Sequence, residues 1–199
     1  MEFSNMELET MEKKLEGMLT PGRYRHSLGV METSVELAKI FGVNQEKARL
    51  AGLLHDCAKD LDKAEMLRRC ETMGVELDPV KREQRALIHA DLGAHMLEPE
   101  FGITDLEIIG AVKYHTLGRE NMTDLEKILY LADCIEPNRK PFEGLEELRQ
   151  LARTNLDCAM LFALERSIDH VQHKHRKRHS QTMAAQQYFL EVCKEKVTV

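Results

Sequence analysis

The chain has 199 residues, enough for one domain with a substantial core. Its composition, 43% hydrophobic and 31% charged with five prolines and no tryptophan, excludes a disordered chain and fits a soluble globular one. A net charge of −6 argues against a dedicated nucleic-acid binder, and no apolar run approaches the ~20 residues a membrane span needs.

The apolar period is helical almost throughout. Leu28, Met31, Val35, Leu37 and Ala38 form a stripe after His26 that stops at Phe41-Gly42. Asn44 is placed to cap a helix running through Ala48, Ala51 and Leu54 to the pair His55-Asp56. Asp62 can cap the next helix, which ends near Gly74, and Asp78-Pro79 reads as a cap with a first-turn proline. That helix, or one close behind it, carries His89 and runs to Leu97. Thr104 opens another, through Ile108, Ile109 and Val112 to His115. Thr123 with Glu126 is a capping-box pattern ahead of DLEKILYLADCIE, which ends before Pro137. After the turn NRKPFEG, one long helix is predicted from about Leu145 to about His170, and a last one over roughly Gln181 to Glu195. No alternating strand pattern, hairpin signal, repeat or long linker occurs, so the expected fold is a single all-α domain.

Two features bear on location. The five cysteines, Cys57, Cys70, Cys134, Cys158 and Cys193, are odd in number and form no Cys-x-x-Cys pair, which suits a reducing compartment. The opening MEFSNMELETMEKK has no apolar signal-peptide core, so a cytoplasmic protein is expected.

Histidines and aspartates stand at or near the ends of several of these helices: His26, His55 with Asp56, His89, His115 and Asp133. A bundle can aim such side chains into one cavity. Adjacent residues at a helix end can both reach one cation. A lone histidine on an amphipathic helix is usually a surface or hydrogen-bonded residue, and His95, His170 and His173 fit that description. LLHDCAKD differs, because it sets ionisable groups directly after the apolar run AGLL, and Asp133 sits inside ILYLADCI. Burying such groups is costly unless they do something. Imidazole plus carboxylate suits a transition metal better than calcium. A second signal is HKHRKRH, residues 173–179, a basic island in an acidic chain. It reads either as a solvated helix end or as an anion clamp.

The segments RYRHSLGV, AGLLHDCAKDL, LIHADLGA, YHTLGRENMTDLEKILYLADCIEPNR and FEGLEELRQLA closely resemble the bacterial YqeK-type HD-domain diadenosine tetraphosphatases. The resemblance runs from about residue 10 to about residue 190, and the pairing of HT-G with LADxIEPxR is its specific part. It implies an HD-type helical bundle, with a core over about 20–140 and C-terminal helices over about 145–195 closing the site. It also implies symmetrical hydrolysis of diadenosine tetraphosphate to two ADP with a divalent metal. Iron is the metal implied, with Mn, Co, Ni, Zn or Mg as alternatives. His26, His55, Asp56 and Asp133 fall on the metal-ligand positions. Asp56 or Asp133 would orient or deprotonate the attacking water.

Arg23, Lys59, His89, His115, Thr116 and Arg139 fall on positions that meet the nucleotide, and His26 faces it with the metal. Lys59 and Arg139 could instead pair with Asp60 or Glu136. His89 and His115 could hold a second metal, donate to phosphate or protonate the leaving ADP. The resemblance also recruits the basic island, through Lys177, Arg178, His179 and Thr182, to enclose the nucleotide. Ala184-Ala185-Gln186 departs from the family's Ala-Arg-Asn-like stretch there. Two alternatives stand beside this: an HD phosphohydrolase for another nucleotide (a dNTP, a nucleoside monophosphate, a cyclic nucleotide or ppGpp), or a non-catalytic nucleotide sensor. The apolar stretch from Leu145 to Leu164 leaves a homodimer open.

Overall fold

The structure, a computed structural model, describes residues 5–174 and 176–197. Among them are eleven helices and no strand: α1 Asn5–Met18, α2 Pro21–Phe41, α3 Gln45–Leu54, α4 Lys63–Thr72, α5 Pro79–Glu83, α6 Arg85–Phe101, α7 Leu106–Tyr114, α8 Asp124–Ile135, α9 Leu145–Ala152, α10 Leu156–His173 and α11 Ser180–Val197. No helix among the described residues is long and apolar enough to cross a membrane.

The caps read from sequence mostly hold. Asn44 accepts from Glu46 N and Lys47 N, Asp62 from Glu65 N, and Asp78 from Val80 N and Lys81 N. Thr123 and Glu126 form the full capping box. Four boundaries differ. The helix after residue 104 is capped one residue later, by Asp105, which accepts from Glu107 N and Ile108 N. The Asp78 helix is only α5, because Gln84 turns extended (φ −110, ψ 102), and α6 then carries His89 past Leu97 to Phe101. The long helix expected over 145–170 is two. A turn at Arg153 and Thr154 separates them, and the Asn155 side chain restarts the chain by accepting from Cys158 N. Finally, α1 was not expected. Its buried Met11 and Leu15, with Leu19 just beyond, are few among many polar neighbours.

Helix α8 is the axis of the bundle. It packs against α2, α3, α7, α9 and α10. Leu125, Ile128, Leu129, Leu131, Ala132 and Ile135 are all buried on it, each large side chain contributing about 1.5–3 kcal/mol of transfer free energy. Helices α2 and α3 approach closely at Gly52, where an added Cβ would lie 2.7 Å from the Met31 Cα. That contact sets the depth at which the C-terminal end of α3 meets α2. The N-terminus of α2 is fixed to the turn after α3, since Thr20 donates to Asp60 Oδ2 from both N (2.7 Å) and Oγ1 (2.9 Å). On the apolar stretch from Leu145 to Leu164, Leu145, Leu148, Leu156, Met160 and Leu164 are buried within the chain, and Leu151, Leu161 and Phe162 are half-buried against the core.

Candidate active site

Three histidines turn one ring nitrogen toward a shared pair of carboxylates. His26, on the second turn of α2, has Nδ1 3.1 Å from Glu136 Oε1. His55, the C-cap of α3, has Nδ1 2.8 Å from Gly52 O. His115, the C-cap of α7, has Nδ1 2.6 Å from Val112 O. An acceptor at Nδ1 orients each ring, so that its Nε2 turns toward the site.

Two carboxylates face these nitrogens. Asp133, on α8, has Oδ1 2.9 Å from His26 Nε2 and 4.0 Å from His55 Nε2. Asp56 Oδ2 lies 3.4 Å from His55 Nε2 and 3.9 Å from His26 Nε2. Its other oxygen, Oδ1, lies 3.1 Å from His89 Nε2 and 3.7 Å from His115 Nε2. Asp56 therefore spans two groups of donors. Burial alone would raise the Asp56 carboxyl, but His55, His115 and His89 outweigh it and hold the group well below its usual range. Burial likewise opposes ionisation of Asp133, and His26, His55 and Arg139 reverse it. His55 is raised, because Asp56 and Asp133 overcome the cost of its burial. His89 is pushed down to about 3 by burial and by Lys59, so it is neutral near pH 7.

The fit to a metal can be tested on these atoms. His26 Nε2, His55 Nε2 and Asp56 Oδ1 are buried and make no hydrogen bond, despite the carboxylate oxygens and ring nitrogens around them. Buried polar atoms without partners are rare and call for a ligand. Donors sharing one ion at ~2.1 Å stand roughly 3 Å apart when adjacent and roughly 4 Å apart when opposite. The four imidazole-to-carboxylate separations between His26 or His55 and Asp56 or Asp133, 2.9 to 4.0 Å, lie in that window. Among the described residues, His26–His55–Asp56 is one of three clusters with ligand atoms within 4.8 Å of one another; the others are His55–His115–Asp133 and Asp56–His89–His115. The residues fit a divalent transition ion.

Cations surround the centre. Arg23 Nη1 is 2.8 Å from Asp56 Oδ2. Lys59 Nζ lies 3.6 Å from Asp56 Oδ1 and 3.1 Å from His89 Nε2. Arg139 Nη1 is 3.8 Å from Asp133 Oδ1. Neither mundane pairing read from sequence forms: Asp60 serves Thr20, and Glu136 serves His26 and the Asn138 backbone N–H at 2.6 Å.

Two cavities include Asp133 in their lining. One of about 970 Å³ runs along His26, His115, Tyr130 and the 138–142 turn. One of about 350 Å³ runs along Lys59, Leu87 and the segment before α11. They share Arg23, Thr116, Asp133, Arg139, Ser167 and His170. The Thr116 hydroxyl is buried and without a hydrogen bond.

Lys177, Arg178, His179 and Thr182 all line the smaller cavity. Three of them are already engaged. His179 Nε2 meets Asp78 Oδ2 at 2.7 Å while its Nδ1 accepts from Gln181 N. The Thr182 hydroxyl donates to Leu117 O at 3.0 Å, and Lys177 pairs with Glu83 at 3.1 Å. His175 of the basic island lies outside the described residues. In the Ala184-Ala185-Gln186 stretch, Ala185 is buried against Gly118.

Glu136 was missed as a functional residue. It is 1% exposed and caps the end of α8, three residues after Asp133, where the sequence suggested only an ion-pair partner for Lys59 or Arg139. Gly29 makes room for it, since a Cβ there would lie 2.6 Å from Glu136 Oε2.

The HD domain family model matches residues 23–138, which contain His26, His55, Asp56 and Asp133. The chain is 42% identical over 166 residues to the symmetrical bis(5′-nucleosyl)-tetraphosphatase of Halalkalibacterium halodurans, covering 83% of this chain and 88% of that one. It is 43% identical over 152 residues to the protein of the same name from Bacillus subtilis, covering 75% and 80%. A crystal structure from Clostridium acetobutylicum, described as a predicted HD superfamily hydrolase involved in NAD metabolism, is similar at TM-score 0.89 and 39% identity, covering 92% of this chain and 97% of that one.

Proposed function

The chain belongs to the HD-domain family and groups with its bacterial symmetrical bis(5′-nucleosyl)-tetraphosphatases, and on that footing we propose that it hydrolyses diadenosine tetraphosphate to two ADP. The supporting observation is that the orphaned His26 Nε2 and His55 Nε2 both face the carboxylates of Asp56 and Asp133, with Asp133 lining two cavities that also carry Arg23 and Arg139.

His26, His55, Asp56 and Asp133 would hold one divalent ion. Iron is the metal we propose, from a donor set that also suits Mn, Co, Ni or Zn. When bound, such an ion acidifies a water and draws charge from a phosphoryl oxygen. Water attacks one of the two central phosphorus atoms, the bond from it to the bridging oxygen breaks, and each half leaves as ADP. Asp56 and Asp133, ionised at neutral pH, accept hydrogen bonds from that water and aim it. Arg23, Lys59 and Arg139 offset the charge that spreads over the phosphate oxygens. Thr116, its hydroxyl without a partner, donates to a phosphate between the cavities. His89, neutral, takes the phosphate side of Asp56 with His115, their Nε2 atoms 3.0 Å apart. A second ion on Asp56, His89 and His115 requires Lys59 to move aside, because its Nζ already lies against His89.

The test is product analysis. Metal-loaded protein is given diadenosine tetraphosphate and, separately, a panel of dNTPs, nucleoside monophosphates, cyclic nucleotides and ppGpp. ADP as the sole product of the first, with slower turnover of the rest, is expected. ATP with AMP, or preference for another member of the panel, overturns the proposal.

A further inference from the structure

A dinucleoside polyphosphate cut at its centre has two equal halves, and both must be housed when the central phosphate reaches the metal-site residues. The smaller cavity, with Lys59, Leu87 and the segment before α11, contains most of the residues expected from sequence to meet a nucleotide, while His26 and His115 line the larger one. The larger cavity contains side chains that no step above uses: Arg25, Lys140, Phe142 and Arg166.

Their chemistry is specific. Tyr130, Leu148 and Ala163, all buried, give the larger cavity an apolar floor. Phe142 is half-buried at its edge, and the Arg166 guanidinium carbon lies 5.5 Å from the Phe142 ring centroid. That ring is the only partner recorded for Arg166 among the described residues. Arg25 and Lys140 are exposed and carry no ion pair among the described residues. Most other arginines on this acidic chain are paired, including Arg23, Arg68, Arg119, Arg149 and Arg153. An aromatic ring with a guanidinium over an apolar floor accepts a base by stacking, and uncommitted cations nearby accept phosphate.

We propose that the larger cavity seats the second nucleoside half of the substrate, with its base against Phe142 and Arg166 and its phosphates toward Arg25 and Lys140. This rests on diadenosine tetraphosphate being the substrate.

Phe142→Ala and Arg166→Ala test it, because neither side chain touches the metal-site residues. In metal-loaded protein, each should raise KM for diadenosine tetraphosphate by about tenfold with kcat little changed, the mark of lost ground-state binding. Equilibrium dialysis with ADP adds a second readout. The unaltered protein should bind two ADP per chain, one in each cavity, and the double variant one. Unchanged KM in both single variants, or two ADP retained by the double variant with the same affinities, overturns the proposal while leaving the substrate assignment intact. Failure of the unaltered protein to release ADP from diadenosine tetraphosphate overturns the substrate assignment and this proposal with it. Unchanged thermal unfolding of the variants separates these outcomes from misfolding.

Discussion

Glu136 Oε1 stands 3.1 Å from His26 Nδ1, so the end of α8 fixes the ring that begins the metal site on α2. The carboxylate holds the proton on Nδ1 and thereby keeps Nε2 free to ligate. A ligand histidine backed by a carboxylate is more basic and better oriented. Glu136→Gln should therefore lower metal affinity by roughly ten- to a hundredfold, with the fold intact. Gly29→Ala should act in the same direction by displacing Glu136, whose Oε2 lies 2.6 Å from the added Cβ. Metal retained after dialysis, read by elemental analysis, checks both. Full retention in Glu136→Gln would remove this role.

Little of that relationship was visible in sequence. His26 and Glu136 are far apart in the chain, and only the packing of α2 on α8 brings them together. The grouped residues themselves were visible, because His55, Asp56 and Asp133 interrupt apolar runs that otherwise need no charge. The split between α9 and α10 was hidden for a related reason. Leu145, Leu148, Ala152, Leu156 and Ala159 keep a helical spacing straight across the break, so periodicity alone reads one helix. The Asn155 cap is the local signal that was passed over. In α1, Met11 and Leu15 are correctly spaced but too sparse to stand out.

Asp56 touches both donor groups, and its loss should be the most damaging single change. Asp56→Ala or His55→Ala should lower turnover by about a thousandfold or more, and metal should be lost in parallel. The two readouts must move together, because the ligands have no separate part in holding substrate. Kinetics alongside elemental analysis of the same preparations decides. A variant with full activity and no metal would dismantle the site as described.

Arg139 should behave differently. Its Nη1 is 3.8 Å from Asp133 Oδ1, a loose contact that leaves the guanidinium available to phosphate. Arg139→Ala should keep the metal while kcat/KM falls by roughly ten- to a hundredfold, as expected on removing a hydrogen bond to a charged group worth about 1.5–3 kcal/mol. Arg139→Lys should recover only part of this, since an ammonium cannot fork onto two oxygens. Steady-state kinetics with metal content measured on the same samples distinguishes the two roles. Metal loss in Arg139→Ala would recast the residue as a support for Asp133.

Asp78 ties the wall of the smaller cavity to the body of the bundle. It caps α5 through Val80 N and Lys81 N and receives the His179 ring at 2.7 Å. Burial would raise its carboxyl, but the bonds from Lys81 N, His179 and Val80 N hold it below the ordinary value. A carboxyl lowered on folding lends stability that is present above its unfolded value near ~3.9 and is lost as the pH falls through the folded value. The side chain is 40% exposed, so the pair with His179 adds little and the cap supplies most of the effect. Asp78→Ala should thus be less stable than the unaltered protein by about 1 kcal/mol near neutral pH. The gap should narrow in the acid range below about pH 4. Urea unfolding of both proteins at the two pH values measures it. A gap that stays constant on acidification would mean that ionised Asp78 is not what anchors the segment before α11.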